Sequence, residues 1–169
     1  MATVQKIVPN LWFHDNAEDA VNYYVSIFKD SAIGKISRYT EAGFEIHGMP
    51  AGTVMTIEFT IEGQQFLALN GGPYFKFNEA VSFIVNCDSQ EEIDYYWDHL
   101  TKGGDPKAQQ CGWLKDKFGL SWQVNPTIVN DMLTDEDPAK ANEVMREVLQ
   151  MKKPDITKLQ RAYDRVATV

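Results

Sequence analysis

Glu18-Asp-Ala-Val-Asn-Tyr-Tyr-Val-Ser-Ile-Phe28 and, 72 residues later, Gln90-Glu-Glu-Ile-Asp-Tyr-Tyr-Trp-Asp-His-Leu100 repeat one pattern of acidic, apolar and paired tyrosine positions. Each follows an apolar extended run, Ile7 to Phe13 and Val81 to Val85, so the repeated unit is a strand leading into a helix. In the first helix Asn16 is the expected N-cap, Glu18 and Asp19 occupy the first turn, and Ala20, Val21, Tyr24 and Phe28 form the apolar stripe. In the second, Ser89 and Glu92 make a capping box, Ile93, Tyr96, Trp97 and Leu100 the stripe, and Gly103-Gly104 the stop. A fainter echo closes each copy: Phe66-Leu-Ala-Leu-Asn70 before Gly71-Gly72-Pro73 reads like Ser121-Trp-Gln-Val-Asn125 before Pro126, 55 residues on.

Between these landmarks the first copy predicts strands at Ala32–Tyr39, Thr53–Ile61 and Gln65–Asn70, the last two joined by a tight turn at Glu62-Gly63-Gln64. Glu41 to Gly52 has three glycines, a proline and no periodicity, which predicts a loop long enough to act as a lid. The second copy shows fewer clear strands, Gln110–Lys115 and Leu120–Asn125, with a hairpin at Asp116-Lys-Phe-Gly119 whose charged Asp116 and Lys117 are expected to face water. After Pro126 the chain reads as helical. Asp137 caps a helix with Pro138 at its first position and Ala141, Val144, Met145, Val148 and Leu149 on one face. Pro154 ends it, and a last helix from Ile156 packs back or onto a partner. The expected fold class is α+β: two βαβββ modules, residues 4–72 and 79–126, within one domain of residues 1–135, followed by a helical tail over 136–169.

The 169 residues, 44% apolar and 12% aromatic, suffice for one sizeable core. With 24 acidic against 16 basic side chains the net charge of −8 repels a phosphate backbone, which argues against nucleic acid as a partner. No apolar run approaches the ~18 residues a membrane span needs, and Met1-Ala-Thr-Val-Gln-Lys6 lacks a basic patch followed by an apolar stretch, so no membrane partner and a cytoplasmic location are expected. Cys87 and Cys111 form no metal or disulfide spacing and read as reduced, small and apolar.

Alternation along a strand sorts its side chains between a helix-covered face and an open one. The apolar parity assigns Ile7, Pro9, Leu11 and Phe13, Met55, Ile57, Phe59 and Ile61, Leu67 and Leu69, Phe83 and Val85, and Trp122 and Val124 to the helix side. That leaves Asn10, Trp12, Thr56, Glu58, Thr60, Asn70, Ser82, Asn86, Ser121, Gln123 and Asn125 on the open side. Such a face is either wet, as half-buried antiparallel sheets are, or the wall of a pocket with a few convergent polar groups. On the second reading Asn10, Trp12, Glu58, Asn70, Ser82 and Gln123 are candidate ligand-binding residues, joined by His47 through closure of its loop. Glu58 is the candidate catalytic base, and Trp12 and Trp113 are candidates for an aromatic wall.

The duplicated unit resembles the vicinal oxygen chelate superfamily of glyoxalases, extradiol dioxygenases and bleomycin-resistance proteins. Asn70-Gly-Gly-Pro73, Gly112-Trp-Leu-Lys-Asp-Lys-Phe-Gly-Leu-Ser-Trp-Gln-Val124 and Met151-Lys-Lys153 resemble more closely its PhnB-like branch, also labelled 3-demethylubiquinone-9 3-methyltransferase, over about Gln5 to Tyr163. The resemblance implies curled, cup-shaped mixed sheets of the glyoxalase/bleomycin resistance fold, with C-terminal helices, and a homodimer. It implies for the superfamily's enzymes a divalent metal held from both modules, at positions that fall here near Asn10 or Val8, Ala68, Ser82 and Gln123. Asn, Ser and Ala are poor substitutes for imidazole and carboxylate, so no metal residues and no cofactor are assigned. A methyltransferase of the commonest fold needs a glycine-rich turn from strand into helix, and Gly71-Gly72 ends a strand without opening one. The expectation is a binding protein for a small organic molecule; the alternative is a divalent-metal-dependent lyase, isomerase or dioxygenase recruiting Glu58, Gln123 and His47.

Overall fold

The computed structural model describes residues 5–166, and the ends of the expected first module and tail lie outside them. The chain divides into two compact units, residues 1–76 and 77–169.

The first unit runs β1 (Asn10–Phe13), α1 (Ala17–Ile27), β2 (Ala32–Arg38), a one-turn α2 (Phe44–His47), β3 (Val54–Ile61) and β4 (Gln64–Asn70). Its sheet has the order β1-β4-β3-β2, with β1 parallel to β4 and the remaining pairs antiparallel. Helix α1 buries Ala17, Ala20, Val21, Tyr24 and Ile27. Opposite them the sheet offers Leu11, Phe13, Ile57, Phe59, Ile61, Phe66 and Ala68, all buried. Tyr24, fully buried, stacks on Phe59 with ring centroids 6.4 Å apart. Ile7, assigned to this layer by parity, is instead 85% exposed, because regular β1 begins only at Asn10.

Two expectations fail together at β4. The register pairs Ile57 with Ala68 and Phe59 with Phe66, so the helix-facing set on β4 is Phe66, Ala68 and Asn70, while Leu67 and Leu69 stand opposite Glu58 and Thr56 on the open face. The apolar character of the leucines misled the parity argument; Asn70 is 2% exposed. It also replaces the expected helix cap, since Asn16 makes no side-chain cap hydrogen bond and Ala17 N–H donates to Asn70 Oδ1 at 2.9 Å. Asn70 Nδ2 donates to Val54 O at 3.1 Å, so one amide ties together the start of α1, β3 and β4. The same error affects the echo between modules. Phe13 pairs with Asn70 but Val85 with Val124, which makes the true offset even instead of 55 and places Asn125 on the face opposite to that of Asn70.

The second unit comprises β5 (Ser82–Cys87), α3 (Gln90–Leu100), a 3-10 turn (Pro106–Ala108), β6 (Trp113–Lys115), β7 (Ser121–Pro126) and helices α4 (Thr127–Leu133), α5 (Pro138–Gln150) and α6 (Ile156–Asp164). The sheet has three strands in the order β5-β7-β6, β5 parallel to β7. The second module is one strand shorter than the first: among the described residues no strand corresponds to β2, and of Gln110–Lys115 only the last three residues are regular, with one bridge from Gln110 to Trp113. Cys111 sits at φ 52° and Gly112 at φ 83°, a backbone that cannot continue a ladder. Their amides go to the tail, Cys111 N–H to Met151 O and Gly112 N–H to Lys152 O, both at 2.8 Å. On α3 the cap is as expected, with Ser89 Oγ accepting from Glu92 N–H at 3.2 Å and Ile93, Tyr96, Trp97 and Leu100 buried.

Asp116 contradicts its reading as a solvated turn residue. It is 2% exposed; Oδ1 accepts from the amides of Phe118 at 2.8 Å and Leu120 at 3.1 Å, and Oδ2 from the Trp122 indole at 2.8 Å. The turn winds around this carboxylate. Cys87, also buried, has its thiol pushed up to about 12 by burial, with Glu92 and Asp88 adding to the shift.

The helical tail packs back on its own unit. Val129, Met132, Val144, Met151 and Leu159 form its core, and Asp137 Oδ1 caps α5 through Ala139 N–H, with Pro138 at the first position. Met145 and Leu149, expected on the same apolar face, are 42% and 58% exposed. Gln90 holds α6 by donating to Pro154 O and accepting from Ile156 N–H, while Lys153 pairs with Asp94 at 2.8 Å. The hydrogen bond from Lys153, assisted by Gln90, holds the Asp94 carboxyl below its ordinary 3.8. A depressed carboxyl stabilises the fold fully above its unfolded value and loses that contribution as pH falls through the lowered one. Lys153→Met is therefore expected to cost less than ~1 kcal/mol near neutrality, because the pair is partly exposed, and nothing once Asp94 is protonated. Urea titrations of both proteins at pH 7 and pH 3 check this: a cost that is no smaller at pH 3 contradicts it.

Candidate ligand site

The open face of the first sheet carries Asn10 and Trp12 from β1, Thr56, Glu58 and Thr60 from β3, and Leu67 and Leu69 from β4. Cross-strand register sets Asn10 beside Leu67, Trp12 beside Leu69 and Glu58 beside Leu67. At one end of this face lies a pocket of about 430 Å³. Its walls include Val8, Ile33, Gly34, Glu58, Thr60 and Leu67. The opening comes from β2, whose register shifts between Ile33 and Ile36. Gly34 is bound into that arrangement, because a Cβ there would stand 3.2 Å from both Glu58 Cβ and Glu58 O.

Within this pocket Glu58 is chemically distinct. Thr60 and Gln65 supply neutral polar groups, the other walls are largely apolar, and among the described residues no lysine, arginine or histidine lines it. Among the described residues no hydrogen-bond or ion-pair partner is found for the Glu58 side chain, although it points from the centre of a paired strand. Ionised, it is an acceptor-only group with all its oxygen lone pairs available to a ligand.

Trp12 takes a different position from the one an aromatic ligand wall requires. Its indole donates to Gly72 O at 3.0 Å, meets Phe75 edge-on at 4.9 Å between centroids, and covers Gly71 so closely that a Cβ there would lie 2.3 Å from the ring. Gly71 is thus the seat of the indole, and any side chain at this position displaces it. The Asn-Gly-Gly-Pro stretch acquires a physical meaning: Asn70 points inward, Gly71 admits the indole and Gly72, at φ 87°, turns the chain.

His47 closes α2 in the 41–52 loop. Its Nδ1 accepts from Met49 N–H at 3.0 Å, which leaves Nε2 as the protonated nitrogen, facing Ala42 O at 3.3 Å. The ring rests on Tyr39 at 4.6 Å, and Tyr39 in turn donates its hydroxyl to Asn70 O at 2.7 Å. Both nitrogens of His47 are engaged inside its own loop. Asn70 likewise has its amide committed, on the helix side of the sheet.

In the second unit Ser82 and Gln123 do share one open face, with Gln123 Nε2 donating to Ser82 Oγ at 2.9 Å. Beside them Asn125 donates to Asn86 at 3.1 Å, and Trp113 lies opposite Gln123. The amides and hydroxyls on this sheet largely satisfy one another. Ser121, 1% exposed, differs in that its hydroxyl has no hydrogen-bond partner among the described residues.

A divalent metal of the superfamily type does not fit these donors. Ala68 is fully buried on the helix side, Asn10 and Ser82 offer neutral oxygen only, and among the described residues no three His, Cys, Asp or Glu side chains come together.

The family model of 3-demethylubiquinone-9 3-methyltransferase matches residues 5–125, more than half of the chain. The chain belongs to this family. The PhnB protein from Bacillus cereus is 38% identical, the alignment covering 73% of this chain and all of that one, with a TM-score of 0.61. A protein from Pseudomonas aeruginosa is 23% identical over 73% of this chain and 98% of its own, TM-score 0.54. The fosfomycin resistance protein FosX from Mesorhizobium loti shares 12% identity over 80% of this chain and 99% of its own, TM-score 0.52, a likeness of fold alone. No curated protein matches. The family's fold is that of the glyoxalase/bleomycin-resistance group, here as two open mixed sheets of four and three strands with C-terminal helices. Among the described residues no helix is long and apolar enough to cross a membrane.

The pocket was only partly legible beforehand. Alternation gives Asn10 and Glu58 the open face and names Val8 as the alternative to Asn10, but Ile33 and Gly34 are not legible, because the irregularity of β2 has no signature beyond a glycine inside a strand.

Proposed function

We propose that this protein binds a small organic molecule in the pocket of its first unit, without a resident transition metal, and that it works as a cytoplasmic homodimer. The observation that carries the proposal is the pocket of about 430 Å³ with a single charged group, Glu58, on otherwise largely aliphatic walls. Ligand sites have this form: apolar surface for affinity and a few polar groups for orientation. Asn10 borders the same strand pair and extends the polar rim, while Ser82 and Gln123 form a separate polar strip on the second unit, which we assign a supporting part. Trp12, held on Gly71 and Gly72, is not among the residues that line this pocket and is assigned no contact with the ligand.

The methyltransferase in the family description finds no counterpart in the connection from β1 to α1, which passes through His14, Asp15 and Asn16 without a glycine. The cytoplasmic assignment rests on Cys87 and Cys111, both free thiols. The homodimer rests on the family resemblance and on the exposed Met145 and Leu149 of α5. Light scattering is expected to give twice the chain mass of 19.2 kDa; a single-chain mass removes the dimer.

Binding itself is tested by NMR titration with phenyl and indole fragments. Shifts are expected at the amides of Ile33, Thr60 and Leu67, and Leu67→Trp, which fills the pocket, is expected to weaken binding at least tenfold while leaving the Tm within a few degrees. Fragments that bind Leu67→Trp equally well defeat the reading. Stoichiometric zinc, manganese, nickel or iron in the purified protein overturns the metal-free part and puts a metal-dependent lyase, isomerase or dioxygenase in its place.

A further inference from the structure

Resting on the pocket reading above, we infer that the ligand is an organic cation, an ammonium group on a compact apolar or aromatic body, with Glu58 as its counter-ion. The charge distribution decides the sign. Among the described residues Glu58 is the one ionisable group on the pocket walls, with Thr60 and Gln65 as neutral polar companions and Val8, Ala32, Ile33 and Leu67 as apolar surface. Nothing basic is aimed at it: Lys35, one residue past Gly34 on β2, forms no ion pair with it, and none of the described salt bridges includes Glu58. An anionic ligand would meet the carboxylate with no compensating base, inside a chain of net charge −8. A neutral ligand that shields Glu58 from water would strip its solvation and offer at most a neutral donor. An ammonium supplies three donors and a full opposite charge, so it can satisfy Glu58 while reaching the Thr60 hydroxyl, which accepts as well as donates. The overall negative charge then favours approach of the same ligand from a distance.

The size of the pocket narrows the class further. A volume of about 430 Å³ accommodates a bicyclic ring with a short side chain, and one carboxylate on the described walls matches one ammonium, not the several charges of a polyamine. The walls that accompany the carboxylate are largely apolar, which suits an amphiphilic monocation better than a compact inorganic or fully solvated one.

Three probes with one ring system separate charge from shape: tryptamine as the cation, tryptophol as the neutral isostere and indole-3-acetate as the anion. Each is titrated by NMR and calorimetry at low and high salt into the full chain, Glu58→Gln and Leu67→Trp, all checked for equal Tm. Tryptamine is expected to bind at least tenfold more tightly than tryptophol, indole-3-acetate more weakly than either, and the spread to narrow at high salt. Glu58→Gln should bring all three within about threefold of one another by weakening tryptamine alone, and Leu67→Trp should weaken all of them. If tryptophol matches tryptamine, or if Glu58→Gln keeps the preference, the cation inference is wrong while the pocket stands. If none of the probes binds at millimolar concentration, or if Leu67→Trp changes nothing, the inference and the pocket fall together.

Discussion

Asp116→Ala is expected to be the most damaging single substitution outside the apolar core, lowering stability by about 3–5 kcal/mol. The native carboxylate takes hydrogen bonds from two backbone amides and one indole in a site that is 2% exposed. Truncation leaves the Phe118 and Leu120 amides and the Trp122 N–H without their acceptor, and each buried donor stranded in this way costs on the order of 1–3 kcal/mol. Asp116→Asn should lie in between: one oxygen still serves the two amides, but the new amide nitrogen faces the Trp122 N–H, donor against donor. Urea unfolding followed by tryptophan fluorescence gives both values, and a cost below ~1 kcal/mol for the alanine variant would show that water replaces the carboxylate without penalty.

The second large effect belongs to Asn70. Asn70→Ala removes the acceptor for the first amide of α1 and the donor to Val54 O, and should cost about 2–4 kcal/mol. Asn70→Asp separates the two halves of the interaction, since a carboxylate still accepts from Ala17 N–H but sets a lone pair against Val54 O. It should recover the helix cap and still destabilise. Hydrogen exchange locates the loss: fast exchange is expected first at Ala17 and the opening turn of α1 in the alanine variant, and uniform protection there would contradict the proposed latch.

These two residues also show where the sequence was readable and where it was not. The helices were visible because period 3.6, the Ser89–Glu92 pair and the Asp137-Pro138 start are local signals that the folded chain keeps. Strand positions were visible for the same reason, and on β3 alternation gave Glu58 its correct face. On β4 it did not. Phe66, Leu67, Ala68 and Leu69 are all apolar, so polarity could not choose a parity, and the polar residue that broke the tie, Asn70, was buried by partners 16 and 53 residues away. Asp116 failed in the same manner, because a charged residue beside a hairpin looks solvated unless the three donors that surround it are known. His47 was read as a closing group over a ligand, yet both of its nitrogens serve the loop that carries it.

The hold of the last helices on Cys111 and Gly112 bears on how this protein tolerates shortening. A sheet of three strands ends in backbone groups that invite another chain to pair with them, and just ahead of β6 the carbonyls of Met151 and Lys152 take the amides of Cys111 and Gly112. A chain shortened before residue 151 loses both carbonyls, frees these amides just ahead of β6, and is expected to associate with itself more readily than the full chain.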